Sequence, residues 1–393
     1  MKQFIYCILI LVAVFGSAGC KKNDAKPEDA FIKVYDDSNG NKHFHPLGIT
    51  TSESGDGYIT VSAFDGWRIQ IMKINNAGEF QWNYELPSNY VNAVPNIIKK
   101  NGQNYIICMD AVGLFTYVLK IDEATQATVE VSSFSDVLYP TYVYNSGQHI
   151  YLQNYDRMSF ETGIHELSGD LTSVQNSGSV NIFTDVEEQI VEHITYTGDR
   201  IPFFISTTQS QNYIVMNGYY NYSFSMIFLN PDLSFAGVYN GEGFNTGPTA
   251  ISPLNGNNFA LARFSYDNLY FNPNAALTPT TIDIASSIPA QGQSELDPKK
   301  PVLIKDLSIS GTTYKAYLSS TRSNQLLISL YEPSGGTLVG KKYLGKNIPV
   351  VASDFIQTED GGLNILVQAK IMGSIDRIAL MKLSKEQLEA IVE

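Results

Sequence analysis

The sequence predicts an all-β fold, and more specifically a single β-propeller, on three observations. Short strand-like segments are separated by turns rich in Gly, Asn, Asp and Ser. Groups of three or four such segments recur at intervals of roughly 40 to 50 residues, the spacing typical of propeller blades. No stretch before the last ten residues shows convincing helical periodicity. A small sheet with two apolar faces is stable only between neighbours, and a ring of blades provides them.

The repeat is clearest near the two ends of the chain. In residues 56–84 and 360–383, a turn with an acidic residue and Gly leads into a short apolar strand, a loop, and a second strand that ends in an apolar-Lys-apolar step. Fainter copies occupy residues 104–122 and 313–330. The same unit therefore recurs through the chain, which favours one large repeat architecture over several unrelated domains.

The number of blades follows from where the units begin. They begin near residues 47, 93, 138, 188, 247, 302 and 350, which predicts seven blades. Six or eight blades stay open, because residues 188–240 contain five strand-like runs and residues 267–301 include a long irregular segment. A loop of that length is often functional, although it could also be a tolerated surface insertion. Near the C terminus, Ser384 is placed to cap one or two helical turns.

The N-terminal strand is expected to close the ring. Residues Phe31–Tyr35 alternate in polarity, precede the first full unit, and resemble the fourth strand of that unit, residues 80–84. The last unit has three clear strands and a doubtful fourth. Phe31–Tyr35 is therefore predicted to complete the final blade, so that the propeller spans residues 31–393.

The first twenty residues have the organisation of an export signal. A positive start, Met1-Lys2, is followed by an uncharged apolar run from Phe4 to Gly16 and by the small residues that lead to Cys20. This arrangement resembles the bacterial lipobox, which implies removal of a signal peptide over residues 1–19 and acylation of Cys20. Residues 20–30 are polar, carry a Pro and are predicted to form a flexible tether.

Charged residues directly after the lipidated Cys are common in outer-membrane lipoproteins of Bacteroidetes, which this chain resembles. The resemblance implies an outer-membrane protein anchored by lipid on the cell-surface or the periplasmic side. Retention at the inner membrane is the alternative. The segment Lys73–Trp82 resembles a repeat of secreted Bacteroidetes propellers and, more faintly, quinoprotein-type propeller repeats. No quinone site is implied, because the chain has no adjacent cysteines and the Trp does not recur.

Composition limits the classes of partner. Hydrophobic residues make up 44% of the chain and charged residues 17%, which indicates a core-forming globular protein. A formal net charge of −13, without a Lys/Arg cluster, argues against nucleic-acid binding. After loss of Cys7 and acylation of Cys20, only Cys108 remains, in an apolar strand-like run where a buried, unreactive thiol is expected. We expect a monomer.

The sequence contains no catalytic or metal-binding motif that we recognise. It lacks a nucleophile elbow, HExxH, a P-loop and a GxGxxG turn. His43 and His45 are interpreted as a solvated pair, and the three other histidines as isolated. Acidic turns such as residues 53–57 offer oxygen atoms that calcium prefers, but they lack a spaced run of carboxylates. No cofactor and no metal are therefore predicted.

Aromatic residues supply the candidate binding site. Tyr219, Tyr220 and Tyr222 lie in a Gly-Tyr-Tyr-Asn-Tyr segment that is predicted to be an exposed hairpin tip. A second cluster contains Tyr266 and Tyr270. Exposed tyrosines suit stacking on sugars or anchoring a protein. The alternative is that most of them simply pack between blades.

Three functions are compatible with these observations. The leading hypothesis is a lipid-anchored binding or scaffold propeller, without enzymatic activity, that recognises a glycan or an envelope protein. The second is an extracytoplasmic polysaccharide hydrolase or lyase with its site at the propeller mouth, where residues from several blades would meet. The third is an envelope assembly factor, by analogy with the propeller lipoprotein of the outer-membrane barrel insertion machinery.

Overall fold

The computed structural model describes residues 26–35, 42–197, 200–282, 285–346, 348–371 and 375–393. The predicted signal peptide, Cys20 and the first part of the predicted tether lie outside the described residues. Residues 26–30 are exposed and form a turn, in which the Asp29 amide donates to the carbonyl of Lys26 at 3.0 Å. Among the described residues, no helix has the length and apolar character that crossing a bilayer requires.

The described strands fall into seven antiparallel units of four strands each. Unit 1 contains β2 (Phe44–Thr51), β3 (Gly57–Phe64), β4 (Arg68–Asn75) and β5 (Phe80–Glu85). Unit 2 contains β7 (Ile98–Lys100), β8 (Gln103–Asp110), β9 (Phe115–Asp122) and β10 (Ala127–Leu138). Unit 3 contains β11 (Pro140–Asn145), β12 (Ile150–Asp156), β13 (Glu161–Leu167) and β14 (Val174–Asn181). The short strand β6 (Tyr90–Val91) pairs with β4 and β8 and joins units 1 and 2 into one sheet.

The second half of the chain repeats this pattern. Unit 4 contains β15 (Ile205–Thr207), β16 (Ile214–Tyr220), β17 (Ser223–Leu229) and β18 (Phe235–Tyr239). Unit 5 contains β19 (Thr246–Pro253), β20 (Asn258–Ser265), β21 (Asn268–Ala276) and β23 (Gln291–Gly292). Unit 6 contains β24 (Val302–Ile309), β25 (Thr312–Ser320), β26 (Leu326–Tyr331) and β27 (Leu338–Leu344). Unit 7 contains β28 (Val350–Gln357), β29 (Leu363–Ile371), β30 (Ile375–Leu383) and, from the other end of the chain, β1 (Phe31–Tyr35).

β1 also contacts unit 1. It runs antiparallel to β30, with Phe31 opposite Lys382. The Tyr35 hydroxyl donates to the carbonyl of Gly78 at 2.8 Å, and Lys33 Nζ donates to the carbonyl of Ala77 at 2.6 Å. Gly78 has a φ of +75°, and a Cβ there would lie 2.5 Å from the Phe31 ring, so this turn requires glycine. The N-terminal strand thus connects the last unit to the first.

Apolar side chains fill the boundaries between successive units. The middle strands are buried on both faces; every residue of β3, for example, is buried. One cluster lies between units 1 and 2 and contains Cys108, whose thiol pKa is raised by burial, as expected for an unreactive cysteine. Another lies between units 7 and 1, where Leu366 and Leu380 pack with Ile49 and Phe64. Side-chain packing therefore contributes to holding successive units together.

Residues 187–195 were predicted to be part of a strand-rich unit, and this prediction is wrong. They form helix α1 (Glu187–Thr195), with Glu187 and Glu188 in its first turn and Ile190 and Ile194 buried. Two acidic residues at a helix N terminus and apolar residues four apart are helix signals. A helix of nine residues has only a few apolar positions, and so few positions do not distinguish helical spacing from the spacing of a strand. The helix explains the surplus strand-like run and moves the start of unit 4 from 188 to 205.

The segment predicted to be a long irregular loop contains regular structure. β21 extends to Ala276, and β23 then supplies the fourth strand of unit 5. Between them, β22 (Thr281–Ile282) pairs in parallel with β18 of unit 4, and a single 3₁₀ turn follows at Ala285–Ser287. At the C terminus, helix α2 (Lys385–Glu389) begins after Ser384, whose hydroxyl accepts a hydrogen bond from the Gln387 amide, as predicted.

Candidate functional site

The first strands of the units converge on a cavity of about 790 Å³. Parts of β2, β11, β19, β24 and β28 line it, and the segments directly before β7 and β15 complete the wall. Each of the seven units therefore contributes residues to the same cavity. Because many of the lining residues come from the starts of different units, residues that meet here are distant in sequence.

Four of these first strands carry a β-bulge at the cavity. At each bulge one residue has no partner on the neighbouring strand; these residues are Leu47, Thr141, Thr249 and Ser353. All four line the cavity. A bulge bends its strand and redirects a side chain, and bulges are frequent next to binding and active sites. The Thr141 hydroxyl is buried and makes no hydrogen bond with any residue that the structure describes.

A recurrent proline marks this region in the sequence. One proline stands within three residues of the start of the first strand of every unit, at intervals of 45 to 62 residues: Pro46, Pro95, Pro140, Pro202, Pro248, Pro301 and Pro349. Proline has no N–H to donate and is tolerated on edge strands, and each first strand is the edge of its unit. The sequence analysis missed this signal, which would have pointed to the cavity-lining residues beside each proline.

Aromatic rings form much of the wall beside α1. Tyr219 packs edge-to-face on Phe224 and Phe244, with ring centroids 5.4 and 5.0 Å apart. Other lining aromatics are Tyr142, Tyr196, Phe203, Phe204, Phe264 and Tyr266. Tyr266 lies on the turn between β20 and β21 and is 66% exposed. The cavity thus combines a buried aromatic wall with an accessible tyrosine.

Tyr196, the residue that ends α1, stacks with two nitrogen-containing side chains. Its ring centroid lies 4.1 Å from that of His45, and the Arg200 guanidinium carbon lies 3.8 Å from the Tyr196 ring. Burial lowers the pKa of His45 to about 4, and the positive charge of Arg200 acts in the same direction. His45 is therefore neutral at pH 7 and contributes a hydrogen-bonding imidazole to the wall.

The cavity brings together two histidines that the sequence analysis placed apart. His45 was expected to be solvated, but it is partly buried in the cavity wall. His193, expected to be isolated, is buried on α1 and also lines the cavity. Its Nδ1 accepts the Ile201 amide at 2.8 Å, and burial holds its pKa well below the usual value. His43 is exposed, with its Nδ1 3.4 Å from an Asp376 oxygen.

A buried carboxylate joins three of the first strands. Asp354 in β28 forms an ion pair with Lys305 in β24, and its Oδ2 accepts the amide of Ile49 in β2 at 3.1 Å. Its Oδ1 also accepts the amide of Phe355 at 2.8 Å. The negative charge of Asp354 is therefore fully compensated within the wall.

The predicted tyrosine tip is partly buried. Only Asn221 and Tyr222 form the turn, so Tyr219 belongs to β16 and is 5% exposed rather than at the tip. Tyr220 is half-buried against Phe235, whereas Tyr222 is 59% exposed and stacks on Phe183.

The five predicted tyrosines separate into two groups. Tyr219 and Tyr266 line the cavity, and Tyr220, Tyr222 and Tyr270 do not. The Tyr270 ring instead packs under the Arg263 guanidinium at 4.3 Å.

In the acidic turn considered as a calcium site, the Asp56 carboxylate is bonded to neighbouring side chains. Asp56 accepts hydrogen bonds from the hydroxyls of Ser52 and Ser54 and pairs with Lys73 at 2.9 Å. Hydrogen bonding to Ser54 and Lys73 lowers the pKa of Asp56 to about 2. Lys73 also pairs with Glu123 of unit 2 at 2.9 Å, so the cluster contributes to the boundary between units. In the described parts of the chain, no three His, Cys, Asp or Glu side chains are grouped as metal ligands.

Comparison with known proteins identifies the fold. No protein-family model and no curated protein matches the sequence. Among solved structures, the chain is similar to the Dos1 propeller, with a TM-score of 0.50 and 9% identity over 91% of this chain and 81% of that one. The fold is a β-propeller. Hydrazine synthase of Kuenenia stuttgartiensis is also similar, with a TM-score of 0.50 and 9% identity over 83% of this chain and 95% of that one.

A further similar structure is the β-propeller domain of the Trilobed protease from Pyrococcus furiosus. Its TM-score is 0.45 at 9% identity, over 87% of this chain and 95% of that one. At sequence identities this low, structural similarity shows a shared fold and nothing about function. The function of this propeller therefore has to be argued from its own cavity.

Proposed function

We propose that the seven units are the blades of one closed ring spanning residues 31–393. Apolar clusters at the boundaries of successive units, including the cluster between units 7 and 1, support this arrangement. β1 supports it as well, because it pairs with β30 and also hydrogen-bonds to the turn at Gly78. In such a ring the cavity lies at the axial mouth, where the first strands meet.

The cavity is the site of a carbohydrate-binding protein. The observation that carries this proposal is the composition of its wall: it combines many aromatic rings with polar groups, among them the buried hydroxyl of Thr141, which has no hydrogen-bond partner in the described part of the chain. Aromatic faces suit the apolar faces of sugar rings, and a few convergent polar groups fix the orientation of a ligand. A volume of about 790 Å³ lies within the range of small-ligand sites and suits a short oligosaccharide.

Two tyrosines on turns provide a matched test. Tyr266 and Tyr222 are both well exposed and both have positive φ, but only Tyr266 lines the cavity. Tyr266→Ala should weaken binding of oligosaccharides by roughly 10-fold, the effect of losing one ring stacked on a sugar at about 1.4 kcal/mol. Tyr222→Ala should leave affinity unchanged. The measurement is isothermal titration of the purified protein against a panel of oligosaccharides.

The other outcomes of this titration separate the alternatives. Loss of binding in Tyr222→Ala alone would place the site at the hairpin and would overturn the assignment to the cavity. Release of new reducing ends or of unsaturated products in the same samples would favour the hydrolase or lyase. An absence of binding across the panel would favour a protein partner in the envelope.

The binding protein is lipid-anchored at the outer membrane, through Cys20. This part of the proposal is supported by the order of residues 1–20, a positive start, an apolar run and small residues before the Cys. Cys20→Ala should release the protein from the membrane fraction into the soluble fraction. Immunoblotting of fractionated cells measures this, with Cys108→Ala as the control. Continued membrane association of Cys20→Ala would contradict the anchor.

A further inference from the structure

The cavity wall has a charge balance unlike that of the whole chain. The protein carries 26 Lys and Arg against 39 Asp and Glu. The charged side chains that line the cavity show the reverse, four cations and three carboxylates: Arg200, Lys299, Lys300, Lys305, Glu192, Asp267 and Asp354. An excess of cations in the concave part of an acidic protein favours an anionic ligand.

The cations are concentrated at unit 6. Lys299, Lys300 and Lys305 all lie in or directly before β24, whereas Glu192 is on α1 and Asp267 is on the exposed turn of unit 5. Asp354 is the carboxylate that faces this wall, and its charge is compensated by Lys305 and two amides. Lys305 is therefore already engaged by Asp354, and the positive charge considered for a ligand is that of Lys300.

Lys300 is the cation best placed to use that charge on a ligand. It is half-buried, and its ammonium makes no hydrogen bond or ion pair with another described residue. The loop that holds it is constrained, because Pro298 and Pro301 flank it and the Lys300 amide donates to the carbonyl of Asp297 at 3.1 Å. An ammonium group that has no protein partner is available to form a charge-assisted hydrogen bond with a bound anion.

We propose that the carbohydrate bound in the cavity is acidic, and that Lys300 binds its carboxylate or sulfate group. This inference rests on the proposed carbohydrate-binding function and specifies its substrate class. Within the cavity, the aromatic wall beside α1 contacts the sugar rings, while the unit 6 wall contacts the anionic substituent. The neutral imidazole of His45 lies near Arg200 on the wall and adds no negative charge that would oppose the ligand.

The test compares three oligosaccharides of the same length, one neutral, one with uronic carboxylates and one with sulfate esters. Purified protein is titrated with each at low and high salt. An acidic oligosaccharide should bind more tightly than the neutral one and should lose affinity as salt rises. Lys300→Gln should weaken the acidic ligand by roughly 10- to 100-fold, as expected for loss of a charge-assisted hydrogen bond, and leave the neutral one unchanged. Lys370→Gln, an exposed lysine outside the cavity, is the control.

Each remaining outcome has a definite meaning. Equal affinity for neutral and acidic ligands, with no effect of Lys300→Gln, would overturn this inference and leave the carbohydrate-binding function standing. An absence of binding by all three would overturn both. A preference between the carboxylated and the sulfated ligand identifies which anion the unit 6 wall recognises.

Discussion

Removal of β1 should lower the free energy of unfolding by roughly 2–4 kcal/mol. Three of its side chains, those of Phe31, Val34 and Tyr35, are half-buried, and full burial of such a side chain contributes roughly 1.5–3 kcal/mol. The deletion also leaves the edge of β30 without a partner, and an exposed edge promotes aggregation. Urea unfolding of a chain that begins at residue 36 measures the loss.

The control for this deletion is a chain that begins at Ala30. This chain lacks residues 1–29 but keeps β1, so its urea midpoint should equal that of the protein with its N-terminal segment intact. If the two truncated chains had equal stability, β1 would be dispensable, and the proposed closure of the ring through the N-terminal strand would be wrong.

Asp354→Ala should lower the free energy of unfolding by roughly 2–4 kcal/mol. Breaking a fully buried ion pair costs about 3–5 kcal/mol, and the effect here is smaller because Lys305 is 41% exposed. The substitution also leaves the buried amide of Ile49 without an acceptor. Because Asp354 joins three first strands, the loss should be seen as global destabilisation in urea unfolding.

Two further variants separate the contributions at Asp354. Asp354→Asn keeps an acceptor for the Ile49 amide and should lose less stability than Asp354→Ala. Lys341→Ala breaks an exposed pair with Glu295 in unit 6 and should change stability by less than about 1 kcal/mol. An equal, small effect of Asp354→Ala and Lys341→Ala would mean that the buried carboxylate does not hold the first strands together.

The repeating β architecture could be predicted because its signals are local. Apolar strand-like runs and turns rich in Gly, Asn, Asp and Ser recur along the chain. The doubtful fourth strand of the last unit led to the prediction that Phe31–Tyr35 completes it, and this strand pairs with Ile375–Leu383. The exception was α1, where three buried residues on one stripe were too few to distinguish a helix from a strand.

The cavity could not be predicted from the pattern within any one unit, because the proline near the start of each unit is recognised as a signal only when the units are compared. Many of its lining residues come from the starts of different units, and the redirection of Thr141, Thr249 and Ser353 depends on bulges in strand register. The sequence indicated tyrosines as candidate binding residues, but it did not show which of them are buried. Tyr219 packs in the cavity wall, whereas Tyr222, three positions later, is exposed. Two residues in one short hairpin thus have different environments, which only the turn geometry decides.

The most direct test of carbohydrate binding at the axial mouth is hydrogen–deuterium exchange with and without a saturating acidic oligosaccharide. Binding in the cavity should slow exchange in segments from several units at once, at residues 45–49, 141–143, 249–251 and 302–305. Exchange at the hairpin residues 158–160 and 221–222, outside the cavity, should stay the same. Protection confined to those hairpins, or no protection anywhere, would contradict a binding site formed by the first strands.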